Sequence, residues 1–202
     1  MSTVTASPPP RRDIITVKQA EPQSSGWWGM LLFIATEATL FAVLIATYFY
    51  LRFKTPSWPP DGIADPKLLR PLVFTAILVF TSLPMQNSAL AARAGRHGLL
   101  AANLLAALLI GGLYLWLQAD LIRKNAASFT PHTDAYGSIY YTLTVAHAAH
   151  VFVGLLLNLW LLSRAWRVTV YRLNGVQAVA LYWHFVNALA VAVVLTVLSP
   201  SL

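Results

Sequence analysis

Two histidines, His147 and His150, stand three residues apart inside an apolar run, residues 136–165, that no acid or base interrupts before Arg164. Residues three apart lie on one face of a helix, so both imidazoles point the same way. A second pair at that spacing, His184 and Asn187, sits in the last apolar run. One carboxylate, Glu37, lies about ten residues into the first run, about 15 Å along a helix axis. Titratable groups at mid-depth in a bilayer are costly, so they face a protein interior and mark a site. Three chemistries are open to Glu37, His147, His150, His184 and Asn187 if they share an interior. They can hydrogen-bond one another and hold the helices in register, at a modest average of about 0.6 kcal/mol per bond. They can pass protons, since imidazole titrates near neutral pH. They can ligate a metal: a carboxylate and two imidazoles suit iron, and Ala146, Ala148 and Ala149 leave room for a haem beside the histidines. The first demands least, and it is the reading adopted here: a structural polar cluster with a secondary bearing on protons, and no catalytic, cofactor or metal residue.

The elements that position these groups are all helices. The chain has 202 residues, 57% hydrophobic and 10% charged, with a mean hydropathy of +0.62, a profile of polytopic membrane proteins. Five apolar runs are long enough to cross a bilayer: residues 27–51, 68–92, 98–117, 136–164 and 175–198. The expected fold is therefore all-α, one transmembrane domain of five helices over residues 26–202, preceded by a mobile polar tail, residues 1–25. That tail carries Pro8, Pro9, Pro10, Arg11 and Arg12 without an apolar core, so it is not expected to act as a cleavable signal peptide. Residues 52–67, with four prolines, read as a loop, as do 93–97 and the polar stretch 120–134. His97 and His132 fall in loops and are expected to be solvated. Trp27, Trp28, Tyr48, Phe49 and Tyr50 form the aromatic belts of the first span, and Tyr140 and Tyr141 are interfacial or packing groups. Ala188 and Ala192 supply a small-residue stripe for close helix approach.

Several classes drop out. With no cysteine there is no disulfide, thiol catalysis or thiolate metal site. The formal charge of +7 is split among short clusters between apolar runs, which is a membrane-topology pattern and not a nucleic-acid stripe. There is no phosphate-cradling loop and no Ser/His/Asp arrangement. Five crossings place eight of the bases (Arg11, Arg12, Lys18, Arg93, Arg96, Arg164, Arg167, Arg172) on the side of the N-terminus and six (Arg52, Lys54, Lys67, Arg70, Arg123, Lys124) on the other. The positive-inside rule then predicts a cytoplasmic N-terminus and a periplasmic C-terminus.

Three motifs, in order on the first, fourth and fifth spans, carry a resemblance. Trp28-Gly29-Met30-Leu31-Leu32-Phe33-Ile34-Ala35-Thr36-Glu37 is similar to W-G-x-x-L-F-I-x-S-E. Tyr136-Gly137-Ser138 through His147, His150, Val151 and Gly154 is similar to Y-G-S-x-F/Y-Y-x-x-T-G-x-H-G-x-H-V-x-x-G. Tyr182-Trp183-His184-Phe185-Val186-Asn187 is similar to Y-W-H-F-V-D, and Gln118-Ala119-Asp120 to a Q-A-x-E region. From about Gly26 to Leu198 the chain resembles subunit III of the haem-copper terminal oxidases, in a short five-span bacterial form. It departs from the pattern at Val145 and Ala148 (glycines in the family), Thr36 (Ser), Asn187 (Asp) and Ala190 (Trp). The resemblance implies a non-catalytic, multi-pass subunit of the bacterial inner membrane. It would pack against subunit I, in a complex whose haems and copper belong to subunits I and II. It would bind phospholipid and support proton uptake while the complex reduces dioxygen with electrons from cytochrome c, or from quinol in some members. The rivals are a quinol-oxidase or nitric-oxide-reductase subunit of the same family, a stand-alone transporter (against which stands the absence of an internal repeat), and a membrane haem or metal enzyme.

Overall fold

A computed structural model describes residues 25–63, 67–167 and 170–201. The expected tail, with Arg11, Arg12 and Lys18, lies outside them except for Ser25, which opens the first helix; the side chains of Arg167 and Arg172 lie outside as well. Among the described residues six α-helices make five spans: α1 (Ser25–Lys54), α2 (Leu69–Phe80) and α3 (Ser82–Arg93) in series, α4 (His97–Asn125), α5 (Ala135–Ser163) and α6 (Val170–Leu198). No strand occurs among the described residues. Five helical segments are long and apolar enough to cross a membrane, and helices apolar all round belong in lipid or at a core. α6 is the most enclosed and touches α1, α2, α3 and α5, whereas among the described helices α1 docks on α5 and α6.

The second span breaks because of Pro84. A proline has no N–H to give the carbonyl four residues back, and its ring crowds that carbonyl. The chain relaxes at Thr81, whose backbone N–H turns to the Leu78 carbonyl at 3.0 Å and whose hydroxyl donates to the same oxygen. That frees Thr81 and Ser82 to serve as partners for α6.

Two loop expectations are corrected. The polar stretch beginning at Asp120 is helical as far as Asn125. Asp120 pairs one turn on with Arg123 at 3.3 Å and Lys124 at 2.5 Å, while Leu121 and Ile122 are half-buried beneath. Charge pairs at these spacings support a helix that hydropathy alone would end. His97 is not simply solvated: it opens α4 and its Nδ1 lies 3.0 Å from the Ala165 carbonyl, tying α4 to the turn after α5. His132 is exposed, as expected. Tyr48, placed in an aromatic belt by its position, is instead fully buried. Its ring packs edge-on to Trp58, which folds back over the end of α1.

α5 starts sharply. Asp134 is its N-cap, accepting from the Gly137 N–H at 2.6 Å, and Ser138 Oγ donates to the Pro131 carbonyl at 2.6 Å. Replacing an N-cap acid by alanine costs about 0.5–2 kcal/mol. Asp134→Ala is therefore expected to lower the melting temperature of the solubilised protein by about 2–4 °C per kcal/mol lost, read by thermal unfolding. No change would mean the cap is redundant with the Ser138 bond.

Candidate functional site

The structure divides the five polar side chains of the sequence reading instead of gathering them. Glu37 and His150 meet: Glu37 Oε2 lies 2.9 Å from His150 Nε2, across α1 and α5. The other ring nitrogen, Nδ1, lies 2.7 Å from the Ala146 carbonyl one turn back in the same helix. A carbonyl oxygen only accepts, so Nδ1 carries a hydrogen. In a neutral imidazole Nε2 is then an acceptor. The contact with Glu37 therefore needs one proton between the two groups, either on the carboxyl or as an imidazolium against a carboxylate. Both arrangements leave the pair electrically neutral, which is the condition for holding it inside a bilayer without the cost of a net charge. Phe41 meets the imidazole edge-on at 5.1 Å, and Tyr182 on α6 donates its hydroxyl to the His150 carbonyl at 3.0 Å. Three helices thus converge on one titratable pair.

His184 and Asn187 face the second span. Asn187 Nδ2 donates to Ser82 Oγ at 2.7 Å and, more weakly, lies 3.4 Å from Thr81 Oγ1. His184 Nε2 lies 3.3 Å from Gln86 Oε1. The preceding residue, Trp183, fully buried, donates its indole N–H to Thr81 Oγ1 at 2.7 Å. Three polar side chains within little more than one turn of α6 thus fasten it to the second span at and just after the break between α2 and α3. The sequence reading gave Trp183, Thr81 and Ser82 no role. Pro84 was the available signal, because a break needs partners for the groups it releases.

His147 joins neither group. It is 2% exposed, its ring stands edge-on to Tyr114 at 6.2 Å, and both ring nitrogens lack a hydrogen-bond partner among the described residues. The i, i+3 spacing is therefore real as a shared helix face, yet the two imidazoles serve different neighbours: His150 turns to α1 and His147 to α4.

Close helix approach does not use Ala188, which is exposed. It uses Gly111 on α4 and Gly154 on α5, which flank the Trp183 ring. A Cβ on Gly154 would lie 2.8 Å from that ring, and one on Gly111 3.1 Å from it. The glycine in the fourth-span motif is thus the seat for the tryptophan in the fifth-span motif. Tyr140 and Tyr141 are packing groups: both are buried, Tyr140 accepts from Asn125 Nδ2 at 2.7 Å and Tyr141 donates to the Phe129 carbonyl at 3.0 Å. Among the described residues no three His, Asp or Glu side chains gather into a metal-holding group.

Comparison with known proteins agrees with the motif reading. The family model for cytochrome c oxidase subunit III matches residues 17–199. Cytochrome c oxidase subunit 3 of Synechocystis sp. is 32% identical over 169 residues, 79% of this chain and 69% of the relative. The protein of the same name from Thermostichus vulcanus is 30% identical, over 80% of each chain. Cytochrome bo(3) ubiquinol oxidase subunit 3 of Pseudomonas aeruginosa is 30% identical, over 82% of this chain and 80% of the relative. With three helices meeting at a carboxyl–imidazole pair, a motif glycine seating a motif tryptophan, and a family match across nearly the whole length, the chain belongs to the cytochrome c oxidase subunit III family, the subunit III of haem-copper oxidases.

Proposed function

We propose that this chain is the accessory, non-catalytic subunit III of a proton-pumping terminal oxidase in a bacterial plasma membrane, with its N-terminus cytoplasmic and its C-terminus periplasmic. In this reading subunits I and II hold the haems and copper and cytochrome c is the electron donor. The chain binds phospholipid, braces subunit I and supports proton uptake. The observation that carries it is the Glu37–His150 contact, built by α1, α5 and α6 on residues of all three family motifs. A one-proton pair buried in the bilayer serves a scaffold at once and leaves a titratable group within reach of a neighbouring proton path. A quinol donor is the second reading, favoured by the likeness to the bo(3) ubiquinol oxidase subunit. Mass spectrometry of subunits that co-purify in mild detergent separates the two, and recovery of the chain alone would defeat both.

Glu37 variants test the role of the pair. Glu37→Ala leaves His150 Nε2 without its partner, which costs about 1–3 kcal/mol for a buried group. With the side chains 18% and 21% exposed, the lower part of that range applies. Glu37→Gln can donate its amide N–H to Nε2 and keeps the helix contact while removing the proton-holding carboxyl. The expected outcome is weakened assembly and a shortened turnover lifetime for Glu37→Ala. For Glu37→Gln, assembly should be intact and proton uptake slowed. If both variants assembled, turned over and pumped like the parent, the functional reading would fail.

A further inference from the structure

The geometry points to a water-binding pocket inside the bundle that solvates His147 from the face bearing Lys67, Arg70 and Lys124. A cavity of about 30 Å³ lies between α2, α4, α5 and α6, and His147 is in its wall together with Thr75, Tyr114, Gln118 and Thr144. A water needs about 10–15 Å³ of such space and two to four polar partners. This cavity has room for one or two waters, and five polar side chains besides His147 stand in its wall, with Tyr140 the fifth. His147 is the decisive member. An imidazole that is 2% exposed with neither nitrogen bonded to protein would carry the full penalty of an unsatisfied buried polar group. Water at this position meets it. A buried cavity stays dry when its walls are apolar; half of the residues in these walls are polar.

The pocket also adjoins a second, larger one. A larger cavity of about 400 Å³ shares Pro71, Leu121, Tyr140 and Val197 with it. At its far end stand Lys67, Arg70 and Lys124, with Asn125 and Ser128, at the end of the bundle where α4 stops and α2 begins. Of the three bases, Lys124 is already paired with Asp120. A polar vestibule of this kind, continuing into the smaller cavity past the four shared residues, is the route we infer for water to His147. The i, i+3 histidines are thereby addressed separately: His150 meets Glu37 on α1, and His147 meets water on the side of α4. The ligand is water, and the consequence is that His147 meets solvent protons from one face only.

Radiolytic hydroxyl-radical footprinting of the intact oxidase complex tests this, because a bound water cleaved by a brief X-ray pulse oxidises the side chains it touches. Tyr114 and Tyr182 form a matched pair, 3% and 1% exposed, of which only Tyr114 lines the pocket. Tyr114 and His147 are expected to oxidise several-fold faster than Tyr182. The isosteric double variant Thr75→Val/Gln118→Leu should reduce that labelling and leave Tyr182 unchanged. Mixing with ¹⁸O-water before the pulse reads the route: Leu121→Trp, at the junction of the two cavities, should slow the appearance of ¹⁸O at His147. Equal labelling of Tyr114 and Tyr182 would mean a dry or acyl-filled cavity and would overturn the site. Labelling whose ¹⁸O exchange ignores Leu121→Trp would overturn the route.

Discussion

Trp183→Ala is expected to be the most damaging single substitution in the bundle, lowering stability by about 3–5 kcal/mol, as for other fully buried large aromatics cut back to alanine. The indole is the common contact of four helices. Its ring lies against Gly111 on α4 and Gly154 on α5, and its N–H reaches Thr81 at the α2–α3 break. Removing it opens a cavity against three neighbours that cannot collapse inward, since the two glycines have no side chains to move. It also strips a donor from the hydroxyl that stabilises the break. Trp183→Phe separates the two effects, keeping most of the packing and losing the hydrogen bond, for about 0.5–1.5 kcal/mol. The mirror-image change, Gly154→Ala, puts a methyl 2.8 Å from the same ring and should cost about 1–3 kcal/mol by overpacking. Because the two residues share one contact, Trp183→Phe combined with Gly154→Ala should be non-additive, which a double-mutant cycle on thermal unfolding detects. Additive losses would mean that Gly154 matters through something other than the tryptophan.

The sequence was most informative where the lipid environment dictates the outcome. Length and hydropathy alone select helices in a bilayer, since nothing else satisfies the backbone there, and all five spans are found. The pairing of Glu37 with His150 was among the contacts that the depth estimate allowed. What escaped was rotation. Depth says how far along a helix a side chain sits but not which neighbour it faces, and these helices are apolar on all sides, so no amphipathic stripe fixes their facing. His147 and His150 share a face and still diverge to α4 and α1. Asn187 lies near the depth of Glu37 yet binds Ser82, because the break before Pro84 exposes hydroxyls there. The helical stretch from Asp120 to Asn125 was hidden for a different reason: its stability comes from charge pairs within the helix, which hydropathy counts as polar and therefore as loop.

Gly137→Ala is the second large effect. Gly137 sits in the first turn of α5, where its N–H bonds Asp134, and a Cβ there would lie 2.3 Å from the Thr130 carbonyl oxygen. That contact is far inside any tolerated distance, and the obstacle is backbone, so the loop must move and not merely a side chain. The loop is held at several points: Thr130 N–H to Thr133 Oγ1 at 2.9 Å, Ser138 to the Pro131 carbonyl, and Tyr141 to the Phe129 carbonyl. Phe129 in turn packs on Tyr136, Tyr140 and Tyr141. One methyl therefore pushes against the cap and an aromatic cluster together, and the expected loss is at or above the usual overpacking range of about 1–3 kcal/mol. The control is Gly112→Ala on α4, where nothing lies within 4 Å of the added Cβ. Alanine is favoured over glycine in a helix interior by about 0.5–1 kcal/mol, so that variant should be neutral or slightly stabilising. Phe129, Tyr136 and Tyr140 also wall the larger cavity, so Gly137→Ala should change access to it as well as stability. Thermal unfolding of the two variants side by side decides the first point. If Gly137→Ala melted like the parent, the close approach of Thr130 would not exist in the folded protein, and the starting geometry of α5 would have to be redrawn.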